Sequence, residues 1–497
     1  MTMYVIGIGG TGAKCIEAIT KTASVGLLGN ERLKILYIDA DETNGNLERS
    51  RNSLSNYIRC YDIVSGGEQQ DWMAAPIETY ELWSPFTGVN ANKKLQSFFE
   101  YNNLKDKYQV LGHIFDVLYT KEEQEVALDV GFRGRPAIGA AVMSQVDLEK
   151  FDQEPWGQLI KDIKNEVSSG SPPTVFLCGS IFGGTGASGL PTIARLIANK
   201  LEREGVKERI KIACLFLLPY FGFSAPPGED PNGIYARSEQ FLLNTEAALR
   251  YYVDQAQETF DTVFLLGHQN FSKVDFSVGK NTQKNNPHFL ELFAALATRH
   301  FHQNTKALSK KVVLIDGKEM GRLTWDDIPD DLEVKPALVN GVRFAYIWLA
   351  EIDPELNELL RSQNNRQVLS PWLLKFFPTD RRSNRDGLAQ LSSPKEQEAL
   401  KTINNWCQDY LTWWYSLHQD ETEQIQLFNT KASGNPEGQL KREQLNELVY
   451  SSNLDGRTKA QDTIQKLKQQ LQKSQQDPSA ELGIIELAKT LYSFCKQ

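Results

Sequence analysis

The sequence predicts an α/β protein, a doubly wound and mostly parallel sheet followed by a largely helical C-terminal region. Three observations carry that reading. Apolar runs of strand length alternate with amphipathic runs of helical length as far as about residue 305, the pattern of βα units that build a parallel sheet. Glycines crowd the ends of two apolar runs, at GIGGTG (7–12) and FGGTGASG (182–189). From Pro354 onward the pattern is mostly helical.

Residues 4–8 form a short apolar strand, and 11–23 a helix with Ala13, Ile16 and Ile19 on its apolar side. Residues 33–38 are the next strand and end in Asp39-Ala40-Asp41. Residues 50–130, polar and aromatic, read as an insertion with helices around 94–101 and 110–118. A loop and helix start follow at 131–141, then a helix at 156–168, a strand at 174–181, and a helix opening at Pro191. Next come a strand at 210–218, a loop at 219–233, a helix at 235–255 and a strand at 261–266. Pro287 opens the following helix, which runs to about His302, since proline suits the first helical turn. Residues 312–315 and 342–349 read as strands flanking an acidic loop at 325–329. A Ser/Arg/Asp-rich loop spans 379–394, and 459–476 reads as a Gln-rich amphipathic helix.

At 497 residues the chain is long enough for two or three domains, with 41% hydrophobic residues. No apolar run has the roughly 20 residues of a membrane-spanning helix. The N-terminus enters a strand with no basic region or apolar leader segment, which predicts no secretory signal. Cys15, Cys60, Cys178, Cys214, Cys407 and Cys495 lack CxxC or CxxH spacing. That spacing argues against zinc or a disulfide framework and predicts a reducing, cytoplasmic compartment. A net charge of −9 gives no general attraction to nucleic acid or to an anionic membrane.

Gly7-Ile8-Gly9-Gly10-Thr11-Gly12 satisfies GxGxxG between a strand and a helix. Glycines let the backbone approach a phosphate, and the helix N-terminus offers free N–H groups and partial positive charge. One such loop suits a Rossmann-type NAD-dependent enzyme, with Asp39 ending the second strand as the ribose-binding carboxylate. A Walker A loop does not fit, because Ala13 intervenes before Lys14 and Cys15 replaces the magnesium-holding hydroxyl. The second GGTG loop is surplus to a dehydrogenase. Two loops gripping different parts of one polyphosphate explain it better.

Together the loops resemble the tubulin/FtsZ superfamily, and more closely its divergent bacterial tubulin-like members. That family carries a Gly-rich loop after its first strand and [Ala/Gly/Ser]-Gly-Gly-Thr-Gly-[Ala/Ser]-Gly after its fourth. Here the second motif reads Phe182-Gly183-Gly184-Thr185-Gly186-Ala187-Ser188, matching at its centre and departing at both ends. Ile38-Asp39-Ala40-Asp41 resembles the family's segment near the nucleotide and its metal, and residues 134–140 the loop that senses the terminal phosphate. Residues 218–223 resemble its ribose-side segment, and Asn286-Pro287-His288-Phe289 the opening of its central helix.

The resemblance covers roughly residues 1–305. It implies a nucleotide-binding domain over 1–310, GTP or GDP with Mg2+, and head-to-tail self-association. On it, Gly9, Gly10, Thr11, Gly12, Gly183, Gly184, Thr185 and Gly186 hold phosphates with Arg135 beside them. Asp39 and Asp41 lie near the nucleotide, Asp41 near the metal, and Asn286 contacts the base. Hydrolysis in the family requires an acidic loop from the neighbouring subunit, located after the central helix. Asp326 and Asp327, within connecting residues 311–353, carry that catalytic expectation, with a helix N-cap after Thr324 as the competing reading. The fragment Lys273-Val274-Asp275-Phe276 precedes the helix and lacks the second acid.

No intact acidic loop follows residue 305. A non-hydrolysing switch or scaffold therefore stands as the alternative, with the helical domain at 354–497 binding an unidentified partner. Arg133 and Arg135 either neutralise phosphate charge or face solvent. Glu239 and Glu246 either reach the nucleotide or lie on the surface. His300 and His302, two apart on a helix, point to different faces and make a poor metal pair. Trp406, Trp413, Trp414 and Tyr415 read as helical core.

Overall fold

The computed structural model describes residues 1–65, 71–87, 94–224, 235–277, 279–308, 311–315, 321–361, 370–378, 387–419, 424–441, 445–450, 462–474 and 482–496. They fall into two compact units. The first comprises Met1–Ile19, Glu31–Asn52 and Ile77–Met320; the second comprises Thr20–Asn30, Ser53–Pro76 and Gly321–Gln497.

The first unit is built on a seven-stranded sheet. Its strands are β1 (Thr2–Ile8), β2 (Arg32–Ile38), β3 (Ile77–Thr79), β4 (Thr174–Ser180), β5 (Lys211–Leu217), β6 (Thr262–Leu266) and β7 (Lys311–Ile315). The spatial order is 3-2-1-4-5-6-7, and every neighbouring pair is parallel. All seven residues of β1 and of β4 are buried, as expected of strands covered on both faces. Strand order reverses between β1 and β4, where Gly7 lies opposite Cys178. Doubly wound sheets open a ligand crevice at such a switch point.

The helices of this unit include α1 (Gly9–Ser24) and α2 (Gly45–Val64), both continuing into the second unit's residues, and α3 (Gln109–Leu118). They continue with α4 (Pro136–Met143), α5 (Trp156–Ser168), α6 (Gly184–Arg203), α7 (Phe241–Thr259) and α8 (Phe289–Asn304). On α6, Leu190, Ile193, Ala194, Ile197 and Leu201 are buried in one core cluster with Ile6, Ile8 and Leu177. Burying each leucine or isoleucine side chain contributes about 2 kcal/mol, and that row fixes α6 against the sheet. The first turn of α6 is then aimed at the crevice.

Two expectations need correction. The helix after β4 begins at Gly184, so Pro191 lies inside it. The glycine-rich segment itself forms the opening turns, which the proline alone does not reveal. Residues 342–349 are helical: they belong to α9 (Asp331–Ile347) and the π-turn that follows it. Val342 to Ile347 are all buried, so no polar face betrays a helical period and the run imitates a strand. Residues 50–130 contain most of α2 and the edge strand β3. Within them lie short helices at Leu95–Phe98, Tyr101–Lys107 and Lys121–Glu125 besides α3.

The second unit contains α9, α10 (Pro394–Leu417), α11 (Ile464–Lys473) and α12 (Ile484–Phe494). Its core is aromatic. Trp72 packs on Phe344 at 4.8 Å, Tyr492 at 5.1 Å and Trp406 at 5.6 Å between ring centroids. Trp406, Trp413 and Trp414 are buried, as core residues should be, while Tyr415 is half-buried. Parts of three expected segments lie outside the described residues: 225–233 of the loop after β5, 379–386 of the Ser/Arg/Asp-rich loop, and 459–461 and 475–476 of the Gln-rich helix.

Candidate functional site

The first loop turns directly from β1 into α1. Gly9 has φ +74°, a left-handed conformation that glycine adopts without steric cost. A Cβ there would lie 3.3 Å from Thr185 Cβ and 3.6 Å from the Gly186 nitrogen. The two glycine loops therefore abut. Gly10 and Thr11 form the first turn of α1 and line the cleft between the loops. Gly12 does not line it: a Cβ there would sit 2.7 Å from both the Cys178 carbonyl oxygen and the Gly7 carbonyl carbon. Its smallness lets α1 pack on β1 and β4.

The second loop leaves β4 through Ile181 and Phe182, and Gly183 caps α6 in an extended conformation. Gly183, Gly184, Thr185 and Gly186 all line the same cleft. A Cβ on Gly184 would meet Phe132 Cβ at 2.8 Å, and one on Gly186 would meet the Ser180 carbonyl oxygen at 2.2 Å. The N-termini of α1 and α6 thus converge with unpaired backbone N–H groups, each carrying a partial charge of about +0.5. The Phe182 ring packs in a cluster with Phe241 at 4.7 Å, Phe221 at 5.4 Å and Tyr220 at 6.2 Å. Phe182, Phe221, Phe223 and Phe241 give the cleft an apolar wall.

Acids and amides form the opposite rim. Asp39 is buried and accepts from the Asp41 backbone N–H through Oδ1 at 3.2 Å, while Oδ2 has no hydrogen-bond partner. Burial pushes its carboxyl up to about 7, and the neighbouring Asp41 charge adds to the shift. Asp41 is better satisfied. Its Oδ1 accepts from the Thr43 backbone N–H at 3.1 Å and hydroxyl at 2.9 Å, and its Oδ2 from the Lys280 N–H at 2.6 Å.

Asn44 caps α2, accepting from the Asn46 N–H at 2.9 Å, and donates to Gln283 Oε1 at 2.9 Å. Asn46 Oδ1 in turn accepts from the Asn285 N–H at 2.8 Å. Those bonds bring Gln283 and Asn285 into the lining, and the next residue, Asn286, is exposed outside it. Lys14 also lines the cleft, paired with Glu291 at 2.5 Å, and Glu291 accepts from the Tyr220 hydroxyl at 3.0 Å.

Arg135 pairs with Glu123 at 3.1 Å and is not among the lining residues. Arg133 is. It is half-buried with φ +52°, and burial lowers its guanidinium pKa against the opposing fields of Asp129 and Asp41. Asp275, from the fragment Lys273-Val274-Asp275-Phe276, lines the cleft too.

Asp326 and Asp327 lie in the second unit, on a 3₁₀ turn. Asp327 Oδ2 accepts from the Thr324 backbone N–H at 2.8 Å and hydroxyl at 2.9 Å, the capping arrangement that competed with the catalytic reading. Asp326 is exposed. Glu239 and Glu246 are exposed as well, and Glu246 pairs with Arg250 at 2.5 Å. Among the described residues no group of three or more His, Cys, Asp and Glu could hold a metal ion, and no helix is long and apolar enough to cross a membrane.

The cleft encloses about 1030 Å³, open solvent included. It combines an apolar wall, a polar rim and a floor of helix N-termini. Fold and cleft define the class: a doubly wound parallel α/β protein with a crevice at its switch point, floored by two glycine-rich helix N-termini.

No protein-family model matches the chain, and no curated protein sequence matches it. Solved structures similar to it include CetZ1 from Haloferax volcanii as a GDP-bound monomer, 14% identical, covering 54% of this chain and 51% of that one, TM-score 0.25. They also include a tryptophan-to-tyrosine mutant of FtsZ from M. jannaschii, 12% identical, covering 64% and 58%, TM-score 0.23. A helical model of the TubZ-Bt two-stranded filament is 12% identical, covering 65% and 56%, TM-score 0.25. These three are tubulin/FtsZ superfamily members. The chain spans between 51% and 58% of the length of these three structures.

Proposed function

We propose that the chain is a tubulin/FtsZ-like guanine-nucleotide-binding protein. One observation carries this: two glycine-rich helix N-termini line a single cleft and come together at Gly9 and Thr185, where an added Cβ on Gly9 would lie 3.3 Å from Thr185 Cβ. A polyphosphate bridging them receives N–H groups from residues 9–11 on one side and 183–186 on the other. The aromatic wall then takes the apolar face of the base and ribose, and Gln283 and Asn285 offer amides to its polar edge.

The residues present fit a magnesium ion bound largely by phosphate oxygens, because such ions need only one or two protein carboxylates. Asp39 Oδ2, buried without a partner in the cleft lining, suits that role better than Asp41, whose oxygens are already engaged. When bound, the ion neutralises charge between adjacent phosphates.

Turnover would use the exposed Asp326 of a neighbouring copy in a head-to-tail assembly to polarise water, since Asp327 is committed to capping. That commitment equally favours the non-hydrolysing switch. GTP turnover per molecule that rises with protein concentration and falls in Asp326→Asn supports the first; concentration-independent background supports the switch. A reducing, cytoplasmic setting suits either, given six free buried cysteines.

One observation favours an NAD-binding reading: the unpartnered Asp39 oxygen just past β2, where a ribose hydroxyl would be held. Thermal shift with GTP, GDP, ATP and NAD, each with magnesium, separates the two. Ligand at 100 times its Kd stabilises by about 2.7 kcal/mol, a rise of a few degrees. A rise with guanine nucleotides alone supports the proposal; a rise with NAD alone replaces it.

A further inference from the structure

The α3 helix carries an apolar stripe that the described residues of its own unit leave uncovered. Gly112 and Phe115 are its buried residues, and Phe115 packs among Tyr101, Phe99 and Tyr119 at ring-centroid distances of 5.1–5.8 Å. On the other side, Val110 is 71% exposed, Leu111 50%, Ile114 47%, Val117 85% and Leu118 63%. At about 100° per residue these five positions form one continuous arc of roughly 120°. Five large apolar side chains on ten residues of helix make a contiguous patch, and such patches mark interaction sites.

The charges at the ends of the helix say what fits there. Lys105 and Lys107 precede α3, while Glu122 and Glu125 follow it, all exposed. Asp106 and Lys121 weaken that contrast without reversing it. The helix is therefore basic before its start and acidic after its end. Two copies packed antiparallel about Ile114 bring each basic end beside the other's acidic end, so one surface is complementary to itself, as a two-fold contact requires. A parallel pairing sets like against like. An anionic lipid surface is disfavoured by the glutamates and by the chain's net charge of −9.

We propose that α3 is an isologous self-association surface: two copies of this chain pair through Val110, Leu111, Ile114, Val117 and Leu118, antiparallel, with Lys107 facing Glu122. This contact differs from a head-to-tail one and needs no nucleotide, so it stands or falls separately from the proposed function.

The test is sedimentation equilibrium of the full chain without nucleotide. The expected species is a dimer of twice 56.2 kDa. Val117→Asp, at the most exposed position, weakens it by about tenfold or more while leaving the melting temperature unchanged. Lys107→Glu weakens it several-fold and Glu122→Lys in the same chain restores it, a rescue only antiparallel pairing predicts. A monomer at all concentrations overturns the proposal, as does a dimer indifferent to Val117→Asp. Flotation with phosphatidylcholine/phosphatidylserine vesicles, lost in Val117→Asp while the chain stays monomeric, assigns the stripe to lipid and likewise overturns it.

Discussion

The two glycine loops share the tetrapeptide Gly-Gly-Thr-Gly, at 9–12 and 183–186, yet spend it differently. In the first, the helix starts on the first glycine, which is left-handed at φ +74°; in the second, that glycine is an extended N-cap and the helix starts one residue later. The last glycine is a packing residue in both. Gly12 is pressed on Cys178 and Gly7, and Gly186 on Ser180. The second glycines differ in what stands behind them: the amide of Asn44 behind Gly10, the side chain and backbone of Phe132 behind Gly184. An identical motif therefore divides its glycines between the cleft floor and helix–strand contact, and only the neighbours tell which is which.

That division ranks the substitutions. Gly186→Val puts a Cβ 2.2 Å from a backbone oxygen that cannot rotate away, so a loss above about 4 kcal/mol is expected. Thermal unfolding should show a drop of roughly 10 °C or failure to fold. An unchanged melting temperature would mean the loop does not approach β4 as described.

Asp39→Asn should act next most strongly, and in the opposite direction. The native carboxyl titrates at about 7 against an ordinary 3.8, so the folded state holds a proton that the unfolded state releases. Stability from the neutral acid is full below about pH 4 and is lost as pH rises through 7. The asparagine variant without ligand should exceed wild type by a few kcal/mol at pH 8 and match it at pH 4, as read by urea unfolding. Equal curves at both pH values would show that Asp39 is solvated.

Gly10→Ala meets only the Asn44 amide, at 3.1 Å. Displacing that cap costs about 1 kcal/mol, a few degrees of melting temperature, with the fold intact. Asp326→Asn is the smallest. Its side chain is exposed, so stability should change by less than about 0.5 kcal/mol, and any loss of GTP turnover then reports chemistry.

Much of this was legible in the chain. Both loops, the strands β1, β2, β4, β5, β6 and β7, and α5 at Trp156–Ser168 follow from apolar runs and glycine punctuation. What escaped has physical causes. β3 is three residues long and owes its place to pairing with β2. α9 is buried around the stretch that imitates a strand. In the cleft lining, the glycines other than Gly12, with Asp39 and Asp41, were readable, but Asn285 replaces Asn286 and Arg133 replaces Arg135. Those pairs differ by one or two positions along irregular chain, where no period fixes which side chain turns inward. Asn44, by contrast, carried a signal: it stands just before α2, at the N-cap position asparagine favours.

The most direct test of the shared cradle is a phosphate-length series, titrating guanosine, GMP, GDP and GTP with magnesium into wild type and Gly184→Ala by calorimetry. If both loops hold one polyphosphate, affinity climbs at least about tenfold from guanosine to GDP, near 1.4 kcal/mol, and the alanine variant loses most of that climb while guanosine binding is untouched. Guanosine binding as tightly as GTP, or a climb that survives in the variant, would contradict it.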